Sequence, residues 1–102
     1  MIRHIVMWKL KPGANEAQTQ AQREEVVALL NSVKQCVPGI IEFEIGTAQP
    51  GLEADADVIL NSLFEDKATM QAYHVHPDHQ AILGRMKELR ETRHCMDYVV
   101  NA

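Results

Sequence analysis

The chain predicts an α+β ferredoxin-like fold: one four-stranded antiparallel sheet with both helical segments on a single face. Three observations carry this expectation. Apolar segments of strand length alternate with helical stripes in the order β-α-β-β-α-β. Pro and Gly punctuate the boundaries. Several strands are apolar on both faces, which a sheet with one side open to water does not need.

Ile2–Leu10 alternates around β-branched and aromatic residues, and Lys11-Pro12-Gly13 stops it. Asn15 is placed to cap a helix, with Gln18 as its capping-box partner. Val26, Leu30, Val33 and Val37 recur at helical spacing with Leu29 beside them, so the helix is expected to run to Pro38-Gly39. Ile40–Thr47 is the second strand, with Ile41, Phe43 and Ile45 on one face against Glu42 and Glu44 on the other. Residues 48–56 carry Pro50-Gly51 and several acids and are expected to loop. The third strand is expected over 57–64. Asp66 should cap a short helix through Tyr73, and Pro77 suits the first turn of a second helical piece to about Glu91. A final strand is expected over 93–100.

A chain of 102 residues with 46% hydrophobic and 24% charged residues is that of a single folded domain spanning 1–102. Ten Lys and Arg against fourteen Asp and Glu give a net charge of −4 without a basic cluster, which argues against nucleic acid as a partner. No apolar run approaches the ~20 residues that span a bilayer, so no membrane partner is expected. Cys36 and Cys95 fit no Cys-x-x-Cys pattern, and the opening MIRHIVMWKLKPG is unlike a secretory signal. Two free thiols in a reducing cytoplasm are expected. Strand one offers Ile2, Val6 and Trp8 on one side and Ile5 and Met7 on the other, and strand three is similarly two-faced. A second copy of the sheet is the simplest cover, so a homodimer through the sheet faces is inferred.

Five histidines include three within residues 74–79. His79, Ile82, Leu83 and Met86 fall at i, i+3, i+4 and i+7, so His79 shares the core-facing stripe of its helix. Tyr73 joins Met70 and Thr69 on one side of the short helix before it. A phenol and an imidazole would then point into the space between helices and sheet, where one can donate to an oxyanion and the other act as base. The plainer alternative for both is packing. His74, His76 and His79 form His-x-His-x-x-His, but Pro77 interrupts the pattern and His74 is expected to turn away, so no metal site is expected. His76 suits a helix cap. His4 on strand one and Asp97 on strand four lie on neighbouring strands, so either could reach a common pocket. Asp97 in an otherwise apolar strand is costly unless paired, which suits it to orient a histidine; the plainer alternative is a surface carboxylate. No Gly-x-Gly-x-x-Gly, Walker or Gly-x-Ser-x-Gly pattern occurs, which leaves nucleotide chemistry and serine hydrolysis unsupported.

Three stretches resemble the Dabb family, the stress-responsive dimeric α/β-barrel domain. They are the opening Ile2-Arg3-His4-Ile5-Val6-Met7-Trp8-Lys9-Leu10, the segment from Phe64-Glu65-Asp66 to Tyr73-His74-Val75-His76-Pro77-Asp78-His79, and the final Asp97-Tyr98. The resemblance covers nearly the whole chain. It implies a homodimer whose sheets pack face to face into a barrel. The leading expectation is a protein that binds a small apolar or carbonyl-containing ligand between helices and sheet, without cofactor. A plant member of the family, olivetolic acid cyclase, performs a cofactor-free aldol cyclisation. Similarity to it implies Tyr73 as oxyanion donor, His79 as base and Asp97 as the acid orienting that base. His4, Trp8, Met70 and Leu83 are then expected to line the pocket. Residues 48–56 and 80–86 differ from the plant enzyme, so its substrate does not carry over. A third possibility is a scaffold whose role is dimerisation itself, for which no cavity beside His79 is needed.

Overall fold

The computed structural model describes residues 1–101 and has the elements β1 (Ile2–Leu10), α1 (Glu16–Asn31), β2 (Ile40–Thr47), β3 (Val58–Phe64), α2 (Lys67–Val75), α3 (Pro77–Leu89) and β4 (Arg90–Val99). The strands form one sheet in the order β2-β3-β1-β4, every neighbouring pair antiparallel. This is the ferredoxin-like topology that the element order predicted.

On β1, His4, Val6, Trp8 and Leu10 are buried and face the helices. Their partners on β3 are Ser62, Leu60 and Val58, also buried. Val26 and Leu30 of α1, Met70 and Tyr73 of α2, and Ile82, Met86 and Leu89 of α3 close over this face as one core cluster. Apolar burial of this kind supplies most of the helices' stability, at roughly 25 cal/mol per Å² removed from water.

The caps follow local chemistry. Asn15 Oδ1 accepts from Gln18 N at 2.9 Å, and Gln18 Oε1 in turn accepts from the Ala14 N–H. Asp66 Oδ1 accepts from Thr69 N and Thr69 Oγ1, both at 2.8 Å. The α2–α3 break sits at His76, whose Nδ1 accepts from Asp78 N at 3.1 Å and caps α3 ahead of Pro77.

Several boundaries differ from expectation. α1 ends at Asn31, not near Pro38: Ser32 Oγ takes the Leu29 carbonyl at 2.6 Å, and tight turns carry Val33 and Val37 into the core. Helical spacing of buried residues therefore continued past the helix itself. Ile41 does not share a face with Phe43 and Ile45, because the ladder shifts register between Ile40 and Glu42 and leaves Ile41 exposed. α3 stops at Leu89 and β4 begins at Arg90, whose extended backbone pairs with Leu10.

Among the described residues, no helix covers the opposite face of the sheet. Met7 on β1 and Met96 and Tyr98 on β4 are exposed there, 40%, 67% and 44% accessible, with Ile5 and Ile59 half-buried beside them.

Candidate functional site

A cavity of about 400 Å³ lies between the helices and the β1 side of the sheet. His4, Val6 and Trp8 of β1 and Leu60 of β3 form its floor, and Leu30 of α1 contributes a wall. Tyr73 and His74 of α2, with His79, Ile82, Leu83 and Met86 of α3, form the roof. Gln80, Lys87, Arg90 and Arg93 edge it. The volume is in the range of small-molecule sites, and its walls are mostly apolar with a few convergent polar groups.

Tyr73 and His79 meet across the α2–α3 break with ring centroids 4.6 Å apart. The break makes this possible: it swings the start of α3 so that position 79 returns beneath position 73. Phe64 and Phe43 pack on Tyr73 at centroid distances of 5.2 and 6.3 Å and fix the ring. Tyr73 is buried, yet its hydroxyl has no hydrogen-bond partner among the described residues, and it borders the cavity. Burial, reinforced by Cys36, pushes the phenol above its ordinary range, so it keeps its proton and acts as a donor.

His79 Nδ1 lies 3.1 Å from the His74 carbonyl oxygen. A carbonyl only accepts, so the proton sits on Nδ1 and the Nε2 lone pair is left free. Burial lowers the His79 pKa, donation to that carbonyl opposes the shift, and His4 and Arg93 add to the lowering. His79 is therefore a neutral imidazole with an open basic nitrogen at neutral pH.

His4 is buried, and its Nδ1 lies 2.5 Å from Asp97 Oδ1. Its backbone carbonyl accepts from the buried Ser62 hydroxyl at 2.8 Å. Cross-strand register places the pair, since His4 and Asp97 are direct partners in the β1–β4 ladder. Asp97 thus engages His4 and not His79; the expected Asp97–His79 contact is replaced by the carbonyl of His74. Of the expected lining residues, His4, Trp8 and Leu83 border the cavity, whereas Met70 is a core residue outside it.

His74 does not turn away as expected. It borders the cavity, packing against His4, Tyr73 and His79 at centroid distances of 5.0, 5.4 and 5.4 Å. Met70, Tyr73 and His74 fall at i, i+3 and i+4, and that spacing was the signal for it. Burial lowers its pKa to about 4, with His4, His79 and Arg93 acting in the same direction and Asp97 against.

The model of the Dabb family, described as the stress responsive A/B barrel domain, matches residues 2–100. The chain belongs to the Dabb family. No curated protein matches it. Among solved structures, a dimeric ferredoxin-like protein of unknown function from Bacteroides fragilis superimposes with a TM-score of 0.81 at 23% identity, covering 97% of this chain and 95% of that one. A Dabb family protein from Mesorhizobium loti gives 0.74 at 25% identity, covering 99% and 97%. A hydroxynitrile lyase from Passiflora edulis gives 0.77 at 19% identity, covering 98% and 93%. These likenesses establish the Dabb fold and leave the activity of this Dabb protein unassigned.

Proposed function

We propose that this Dabb protein is a homodimer that binds a small apolar, carbonyl-containing ligand in the cavity beneath its helices. One observation carries this: the hydroxyl of an otherwise buried tyrosine, without a protein partner among the described residues, borders a mostly apolar cavity beside a neutral imidazole. The hydroxyl opens onto the cavity, so it is free to donate to a ligand carbonyl that enters there. The two-faced sheet and its exposed Met7, Met96 and Tyr98 support pairing of two copies, as does the dimeric state of the ferredoxin-like relatives. Cys36 and Cys95 are unpaired thiols, in keeping with a reducing cytoplasm.

A second reading is a cofactor-independent lyase or cyclase, favoured by the free Nε2 of His79. In it, Nε2 removes a proton from a carbon next to a carbonyl while the Tyr73 hydroxyl donates to the oxygen that becomes the enolate. The enolate carbon bonds to a second carbonyl of the same chain, and protonated His79 returns its proton to the new alkoxide. Elimination of water completes an aldol condensation. Asp97 holds His4 and contributes position, not proton transfer.

Heptane-2,4,6-trione tests both. Binding raises the melting temperature, and Tyr73→Phe removes most of that rise. Turnover additionally yields the aromatic aldol product, which Tyr73→Phe and His79→Ala abolish while the unliganded dimer melts nearly as before. Equal stabilisation of wild type and Tyr73→Phe, or none at all, would sink the proposal.

A further inference from the structure

The edge of the cavity carries a charge that the proposed function does not use. Lys87, Arg90 and Arg93 all border it, on α3 and β4. The chain is acidic overall, at −4. Elsewhere Lys11, Lys34 and Lys67 are scattered and do not border the cavity, while Arg3, Lys9, Arg23 and Arg85 each lie within 4.0 Å of a carboxylate. None of the three cavity cations does so among the described residues, and no acid is among the lining side chains. Asp97, the acid on the same face of β4 as Arg93, is occupied by His4.

The cations also sit at a defined distance from the Tyr73–His79 end. Lys87 is eight residues beyond His79 on α3, about 12 Å along the axis at ~1.5 Å per residue. Arg93 is the cross-strand partner of Trp8, while Asp97 at the histidine end partners His4. Apolar Leu83, Ile82 and Met86 span the interval. A cavity of about 400 Å³ holds on the order of a dozen non-hydrogen atoms at ~30 Å³ each.

We infer that the ligand is an elongated oxo-carboxylate: a carbonyl at Tyr73 and His79, an apolar body under α3, and a carboxylate held by Lys87, Arg90 and Arg93. This rests on the ligand-binding role proposed above and adds the ligand's charge and polarity. Guanidinium groups match a carboxylate's geometry, and three cations at an apolar mouth attract an anion that the rest of the surface repels.

Calorimetric titration at pH 7.5 and low salt with 9-oxodecanoate and with 2-decanone tests the inference. The expected result is at least tenfold tighter binding of the anion, weakening with added salt. Lys87→Met combined with Arg93→Met should erase that preference, and retained 2-decanone binding together with an unaltered far-UV spectrum reports that the variant is folded. Equal affinity for the two probes would overturn the charge assignment and leave the proposed function standing. A tenfold preference that survives the double substitution would overturn the assignment to these residues. Binding of neither probe would overturn both.

Discussion

His79 owes its tautomer to a backbone carbonyl, and its neutrality to burial. Both properties are testable through pH. His74 and His79 have folded pKa values below the ordinary 6.5, so between the folded and unfolded values the unfolded chain binds more protons. Stability is therefore intact above pH 6.5 and falls as pH is lowered toward 4. Melting temperatures measured from pH 7.5 to 4.5 should decline, and His74→Asn should flatten the decline. His4, His79 and Arg93 act on His74 in the same direction as burial, and Asp97 is the one charge that opposes them. A Tm independent of pH in this window would contradict the burial of these rings. Tyr73 and His79 were legible from helical periodicity alone. The Asp97–His4 pair was half legible: the strands were predictable neighbours, but which histidine the acid met depended on ladder register. His74 was not legible because the short helix is expected to end at Tyr73, whereas it runs on to Val75 and keeps His74 on the Tyr73 face.

At the level of elements, caps and Pro-Gly stops were readable because their chemistry is local. The end of α1 was not, since turns bury Val33 and half-bury Val37 while preserving the spacing. Nor was the irregularity at Ile41, which depends on how β2 meets β3. Asp57, expected to open the third strand, instead clamps the end of the long loop. Its carboxylate accepts from Leu10 N at 2.8 Å and from Arg23 Nη2 at 3.1 Å, and its N–H donates to the Trp8 carbonyl at 2.9 Å. Asp57→Ala should cost about 1–3 kcal/mol by leaving those donors unpaired. In a domain of this size that lowers Tm by ~4–8 °C per kcal/mol, as calorimetry would measure. An unchanged Tm would show that water replaces the carboxylate without loss. The α2–α3 break is the element that matters most for the site, since one uninterrupted helix would carry positions 73 and 79 to different sides.

The whole molecule has two apolar sheet faces and helices for only one. That imbalance is legible in the alternation of β1 and β3 in the sequence. Light scattering should give a mass twice 11.5 kDa, and Met96→Asp, placing a charge on the uncovered face, should shift the particle toward a single chain. A lone 11.5 kDa particle for the unaltered protein would contradict the pairing. The cavity belongs to the other face, so this variant should keep its ligand. The most direct test of the account is a titration of the ¹⁵N-labelled protein with 2-decanone, followed by amide and imidazole shifts. The expected result is saturable movement at Trp8, Tyr73, His79 and Leu83, with His79 Nδ1 still protonated and Nε2 perturbed. Shifts confined to the uncovered sheet face, or none at saturation, would contradict a ligand site under the helices.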